Sequence, residues 1–193
     1  MKSIVEDLRD DISILNNQII WHKVNSLTMD SLIEGLNTPG RLNATTNNLY
    51  YWGRITSRNN ILYNNDRTIE QMKSAGTIRL IRSQEASDNI INYYKVILQV
   101  HYLESRDAEE QNDYIKIAVK IFDPSVFNTI TKDTTILRPR NNPALLNSDP
   151  LLLKELAGYV QYIKSTRATV MNKKERLKVM ANELIITLNK IYN

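Results

Sequence analysis

The run DPLLLKELAGYVQYIKSTRATVMNKKERLKVMANELIITLNKIY, residues 149–192, decides the fold. Leu153, Leu156, Val160, Ile163, Arg167, Val170, Lys174, Leu177, Ala181, Leu184, Leu188 and Ile191 recur at gaps of three and four. That spacing lays all of them along one helical stripe. Asp149 supplies an N-cap, and Pro150 occupies the first helical position, where its missing N–H costs nothing.

Two other segments share the pattern. In the first, Val5, Leu8, Ile12, Leu15, Ile19, His22, Ser26, Met29, Ile33 and Leu36 form the stripe, and Asn37-Thr38-Pro39-Gly40 supplies a stop. An unbroken helix there is roughly 50 Å long at about 1.5 Å per residue. In the second, the stripe is Ile90, Tyr94, Ile97, His101, Glu104, Ala108, Gln111, Ile115, Ala118 and Phe122. Ile115, Ile117, Val119 and Ile121 also alternate as in a strand, but no partner strand is evident nearby and helix is the simpler reading. The fold class expected is all-α: an antiparallel bundle of three long helices plus two or more short ones, in a single domain over 1–193. The long helices fall at about 2–36, 84–122 and 149–191, with a short helical insert at about 44–82 and a loop at about 124–148.

Within the insert, Leu49-Tyr50-Tyr51-Trp52-Gly53-Arg54 clusters aromatic residues. These suit a core wedge or, with Tyr50, Tyr51 and Trp52 exposed, a surface for a protein partner. Asp66 reads as the N-cap of a helix over 67–75 that ends at Gly76, and Ile78, Leu80 and Ile81 as apolar residues docking it onto the long helices. Residues 124–148, with Pro139 and Pro143, are long for a structureless loop, so the segment is functional or has short structure of its own. A helix over 124–131 capped by Asp123 is one such element.

Composition narrows the function classes. The 193 residues include 5 glycines, 5 prolines and no cysteine, which argues against a glycine-rich nucleotide fold, a disulfide framework and a thiolate metal site. A net charge of +4 arises from 25 basic and 21 acidic residues. Lys173-Lys174-Glu175-Arg176 and Arg138-Pro139-Arg140 are short basic runs rather than a continuous stripe, so they read as solvated surface and not as a nucleic-acid footprint. No apolar run reaches the roughly 18 residues that a membrane span requires. The abrupt helical start fits a chain whose targeting segment or anchor has been trimmed away. Asn43-Ala44-Thr45 matches the glycosylation acceptor pattern, which arises often by chance.

Each stripe is apolar at its ends and polar in its middle: His22 and Ser26, then His101 and Glu104, then Arg167 and Lys174. Glu104 lies 19 residues before Asp123 and Arg167 lies 18 residues after Asp149, so an antiparallel hairpin pairs them at one level. Two readings follow. The polar residues form a layer that fixes helix register, or His22, Ser26, His101, Glu104 and Arg167 line a small ligand cavity. No motif supports catalysis, and the two histidines with Glu104 lack local metal-ligand spacing. The expectation is therefore a non-enzymatic protein with no cofactor and no metal.

Five stretches resemble segments of an uncharacterised family of Bacteroidetes proteins: Asn48 to Arg54, Asn65 to Lys73, Ile78 to Arg82, Lys120 to Asp123 and Ala181 to Ile185. The resemblance implies one N-terminal transmembrane helix, absent from this chain, ahead of a helical domain facing the periplasm. It implies no catalytic residues. The function expected of such a membrane-anchored domain is to sense a small ligand or to bind a protein partner. The alternatives are an enzyme with its site between the long helices or under the 124–148 loop, and a purely structural scaffold.

Overall fold

The computed structural model describes residues 2–38 and 42–192, with only the backbone for 42–45. The Pro39-Gly40 stop and the side chains of Asn43-Ala44-Thr45 lie outside the described residues. Three long helices dominate the chain: α1 (Lys2–Leu36), α4 (Gln84–Ile121) and α6 (Pro150–Tyr192). Between α1 and α4 come α2 (Leu42–Thr56), α3 (Arg67–Ser74) and a 3-10 turn, Thr77–Leu80. Between α4 and α6 come α5 (Pro124–Ile130) and a ribbon of β1 (Thr131–Lys132) and β2 (Thr135–Ile136), antiparallel with Thr131 opposite Ile136. The fold is all-α, and residues 115–121 are helical.

Local chemistry accounts for the helix starts. Asp149 Oδ1 accepts from Leu151 N at 2.8 Å, and Asp123 Oδ1 accepts from Ser125 N at 2.8 Å. Asp66 behaves differently. Its side chain makes no cap bond; Asn65 Oδ1 takes Arg67 N at 3.4 Å, and Asp7 of α1 takes Thr68 N at 3.2 Å. Gly76 adopts φ +64°, the left-handed conformation expected of it. In the 3-10 turn, residues three apart share a side. Ile78 and Ile81 therefore both pack on the core, while Leu80, expected to dock, is exposed.

The sequence reading counts one domain; the contacts group the chain into two compact units, each taking one segment from every long helix. Unit 1 comprises Met1–Trp21, Asn60–Glu104 and Thr169–Asn193, and unit 2 comprises His22–Asn59 and Ser105–Ala168. Leu8, Leu15, Tyr93, Ile97, Leu177 and Leu184 form the centre of the unit 1 core, with Leu62 and Ile69 added by the insert. In that unit the first turns of α1 lie beside Leu188, Asn189 and Tyr192, while Gln18 and Lys174 meet at Asn60 and Ile61, so α6 runs antiparallel to α1.

Unit 2 has its own core around Met29, Leu32, Tyr114, Phe122, Leu156 and Val160. Asn25 and Asp107 both bond Arg167, Asp30 bonds Lys164, and Glu110 bonds Thr166. Here α6 is antiparallel to both α1 and α4, which run in the same direction. Tyr50 fills this core with edge-on contacts to Phe122 at 5.1 Å and Phe127 at 5.6 Å. Its hydroxyl accepts from Asp123 N and donates to Ala144 O, both at 2.9 Å.

Two helical glycines give opposite expectations. A Cβ on Gly53 would stand 3.0 Å from Phe122 Cζ and 3.3 Å from Tyr114 Oη, so Gly53→Ala is expected to cost about 1–3 kcal/mol. A Cβ on Gly158 would meet nothing within 4 Å, so Gly158→Ala is expected to gain about 1 kcal/mol of helix propensity. Urea unfolding of the two variants checks both signs.

Candidate functional site

The polar residues in the middles of the stripes are held inside the protein. In unit 1, Glu104 is buried and its Oε1 receives Leu62 N at 3.0 Å and Lys174 Nζ at 2.8 Å. Its Oε2 faces His101 Nδ1 at 3.3 Å. Lys174, with 0% of its surface exposed, also donates to Asn60 O at 3.2 Å. From α1, Gln18 donates to Ile61 O at 2.8 Å, and Asp11 accepts from Asn65 N at 2.7 Å and from the Tyr93 hydroxyl at 2.8 Å. His101 Nε2 lies 3.2 Å from Asn64 Oδ1, and Tyr94 donates to Asn65 O at 3.4 Å.

These bonds have a common target. Residues 58–66 form neither helix nor strand, so their peptide groups lack a ladder of their own. Each buried peptide group without a partner costs about 1–3 kcal/mol. Side chains of α1, α4 and α6 supply the partners, while Leu62 inserts as an apolar peg.

Unit 2 repeats the device with a guanidinium. Arg167, 2% exposed, donates through Nε to Asp107 at 3.0 and 3.2 Å, through Nη1 to Asn25 Oδ1 at 2.7 Å, and through Nη2 to Arg58 O at 2.8 Å. Burial lowers the guanidinium pKa and the Asp107 carboxylate opposes that shift. Tyr114 donates to Gly53 O at 2.8 Å, and its complete burial raises the hydroxyl pKa.

The expected Glu104–Arg167 pair is thus replaced by two others: Lys174 is the base on Glu104, and Asp107 is the acid on Arg167. The count placed α4 and α6 level at Asp123 and Asp149, but α5 and the ribbon separate them, and the register shifts by one to two turns. Of the other candidates, His22 is buried in unit 2 and Ser26 is half-buried there. Tyr50 has no exposed surface and serves the core rather than a partner surface. Tyr51 and Trp52 are half-buried; the Arg138 guanidinium lies 4.6 Å over the Tyr51 ring, and Trp52 packs on the unit 2 core. Among the described residues no three His, Asp or Glu stand together as metal ligands, and no helix is long and apolar enough to cross a membrane.

Asp7, Asp11, Gln18 and Asn25 were missed by the stripe reading, yet each precedes a stripe position by one residue, as does Asp107. A helix flanked by two neighbours buries a face wider than one seam. Polar residues recurring at gaps of 4, 7 and 7 along that wider face were the available signal.

An open concavity lies elsewhere. In unit 2, α5, the ribbon and residues 137–143 enclose a cleft of about 400 Å³. Lys132, Arg138, Arg140, Thr129 and Asn141 line it with Val126, Ile130, Leu137, Pro139 and Pro143. Helix α2 and the residue Arg58 just after it hold this region: Arg54 Nε donates to Thr131 Oγ1 at 3.3 Å, Arg58 to Thr134 O, Asn47 N to Asn142 Oδ1 at 3.3 Å, and Arg138 to Asn48 Oδ1. The 124–148 connection therefore has the short structure its length demanded. Comparison with known proteins finds no matching family model, no matching curated protein and no matching solved structure.

Two expectations follow for the buried groups. Lys174→Met strands the Glu104 carboxylate and is expected to cost about 3–5 kcal/mol, most of it recovered in the Glu104→Gln, Lys174→Met double variant. A double-mutant cycle by chemical denaturation measures this coupling. Burial is the largest influence on Asp11 and raises its pKa above 3.8, against the lowering by Asn65 and Tyr93. As pH rises through 3.8 the unfolded carboxyl ionises first, so stability falls until the folded carboxyl ionises too. Asp11→Asn lacks this loss, and unfolding curves from about pH 3 to about pH 6 are expected to shift the difference in the variant's favour as pH rises.

Proposed function

We propose that the chain is a non-enzymatic binding module of the cell envelope that senses a small ligand, with the unit 2 cleft as its site. One observation carries the reading: a concavity of about 400 Å³ whose lining combines apolar and charged side chains. Ligand sites typically enclose roughly 300–1,000 Å³ with a few polar groups on an apolar lining. The stripe-middle residues are weaker candidates, since His101, Glu104 and Arg167 bond the chain's own backbone or its neighbouring side chains. A ligand in the cleft would act as a signal by favouring one arrangement of the ribbon and loop against α2. The periplasmic placement, and an anchor outside this chain, rest on the resemblance of the segments quoted above.

A protein-partner reading has its own support in unit 1. Ile91, Leu98 and Tyr102 on α4 are 37%, 68% and 70% exposed, and gaps of seven and four put them on one face.

A thermal-shift panel of anionic, neutral and cationic small molecules tests the ligand reading. At least one compound is expected to raise the midpoint by about 2–4 °C at saturating concentration. Thr129→Trp, which fills the cleft from the exposed end of α5, is expected to abolish that shift. No shift with any compound, or a shift indifferent to Thr129→Trp, defeats the reading.

A further inference from the structure

The cleft has a sign. Three cationic side chains, Lys132, Arg138 and Arg140, line it, and among the described residues no carboxylate does. Asp133 follows Lys132 in the ribbon turn, with φ +50°, and is not part of the lining. Arg138 is already positioned, stacked 4.6 Å over the Tyr51 ring and bonded to Asn48 Oδ1, an arrangement that leaves guanidinium N–H groups for a second acceptor. Lys132 and Arg140 differ: among the described residues neither has an ion pair or a hydrogen bond from its charged group. Three cations around one concavity repel each other and raise the local potential for an anion.

The rest of the lining speaks against a bare inorganic ion. Val126, Leu137, Pro139 and Pro143 present apolar surface, and Leu137 is 43% exposed. A hydrated phosphate or sulfate would leave that surface wet, whereas an apolar body would cover it. The basic groups also line one local concavity rather than a stripe along which a polymer could track. Building on the ligand-binding reading, we propose that the cleft takes an organic oxyanion: a carboxylate or phosphate monoester on a compact apolar body of one or two rings. The head group is held by Lys132, Arg138 and Arg140, and the body rests on Leu137 and the two prolines.

Calorimetric titration with naphthoate, naphthyl phosphate, naphthalenemethanol and inorganic phosphate tests this, using the wild type, Lys132→Gln/Arg140→Gln and Thr129→Trp. The two naphthyl anions are expected to bind about tenfold or more tightly than the neutral alcohol and than inorganic phosphate, and their order identifies the preferred head group. The double glutamine variant changes only exposed side chains, and it is expected to weaken the anions about tenfold while leaving the alcohol unchanged. Thr129→Trp is expected to abolish binding of all naphthyl probes. If the alcohol binds as tightly as the anions and only Thr129→Trp removes it, the charge proposal falls and the ligand-binding reading stands. If no probe binds at about 5 mM, or Thr129→Trp changes nothing, both fall.

Discussion

A stretch of chain that is neither helix nor strand must still satisfy its peptide groups, and the rest of this protein is arranged around that requirement. Between Arg58 and Thr68 the partners are side chains of the long helices. A neutral hydrogen bond contributes roughly 0.5–1.5 kcal/mol net, and one to a charged group roughly 1.5–3 kcal/mol. Placing carboxylates, an ammonium and a guanidinium against these peptides offsets part of their own desolvation while satisfying the backbone. In Glu104, Lys174 and Arg167 the polar interruption of two apolar stripes serves an irregular connection, and Arg167 also bonds Asn25 and Asp107 of the neighbouring helices.

This has a consequence for recognising function. Buried Glu104, Lys174, Asp107 and Arg167, with His101 alongside, have the composition of an active site. Ion-pair networks that serve structure produce the same composition. What separates the two cases is where the hydrogen bonds end. Here they end on Asn60, Leu62, Asn64 and Arg58 of the same chain. In the unit 2 cleft, Lys132 and Arg140 have no such internal role.

Helix α2 does for the cleft what the long helices do for the connection. Tyr50 ties Asp123 and Ala144 together through one hydroxyl, Arg54 bonds the ribbon, and Arg58, just past the helix end, bonds the turn of the ribbon. Gly53 permits the close approach of Phe122 and Tyr114. The aromatic cluster divides accordingly: Tyr50 belongs to the core, and Tyr51 supports Arg138.

The sequence by itself determined the three long helices, the Asp123 and Asp149 caps and the left-handed Gly76, because periodicity and capping are local and depend on residues within a turn or two of each other. It also showed that the stripes turn polar in their middles. Only the tertiary structure decided which partners those polar residues take. Asp66 lost its cap to its neighbour Asn65 and to Asp7, and Glu104 and Arg167 took Lys174 and Asp107; the contacts with Asp7, Lys174 and Asp107 join segments 60 to 70 residues apart. Helical spacing along one segment holds no information on its register against another, since that register depends on the shape of the connections between them.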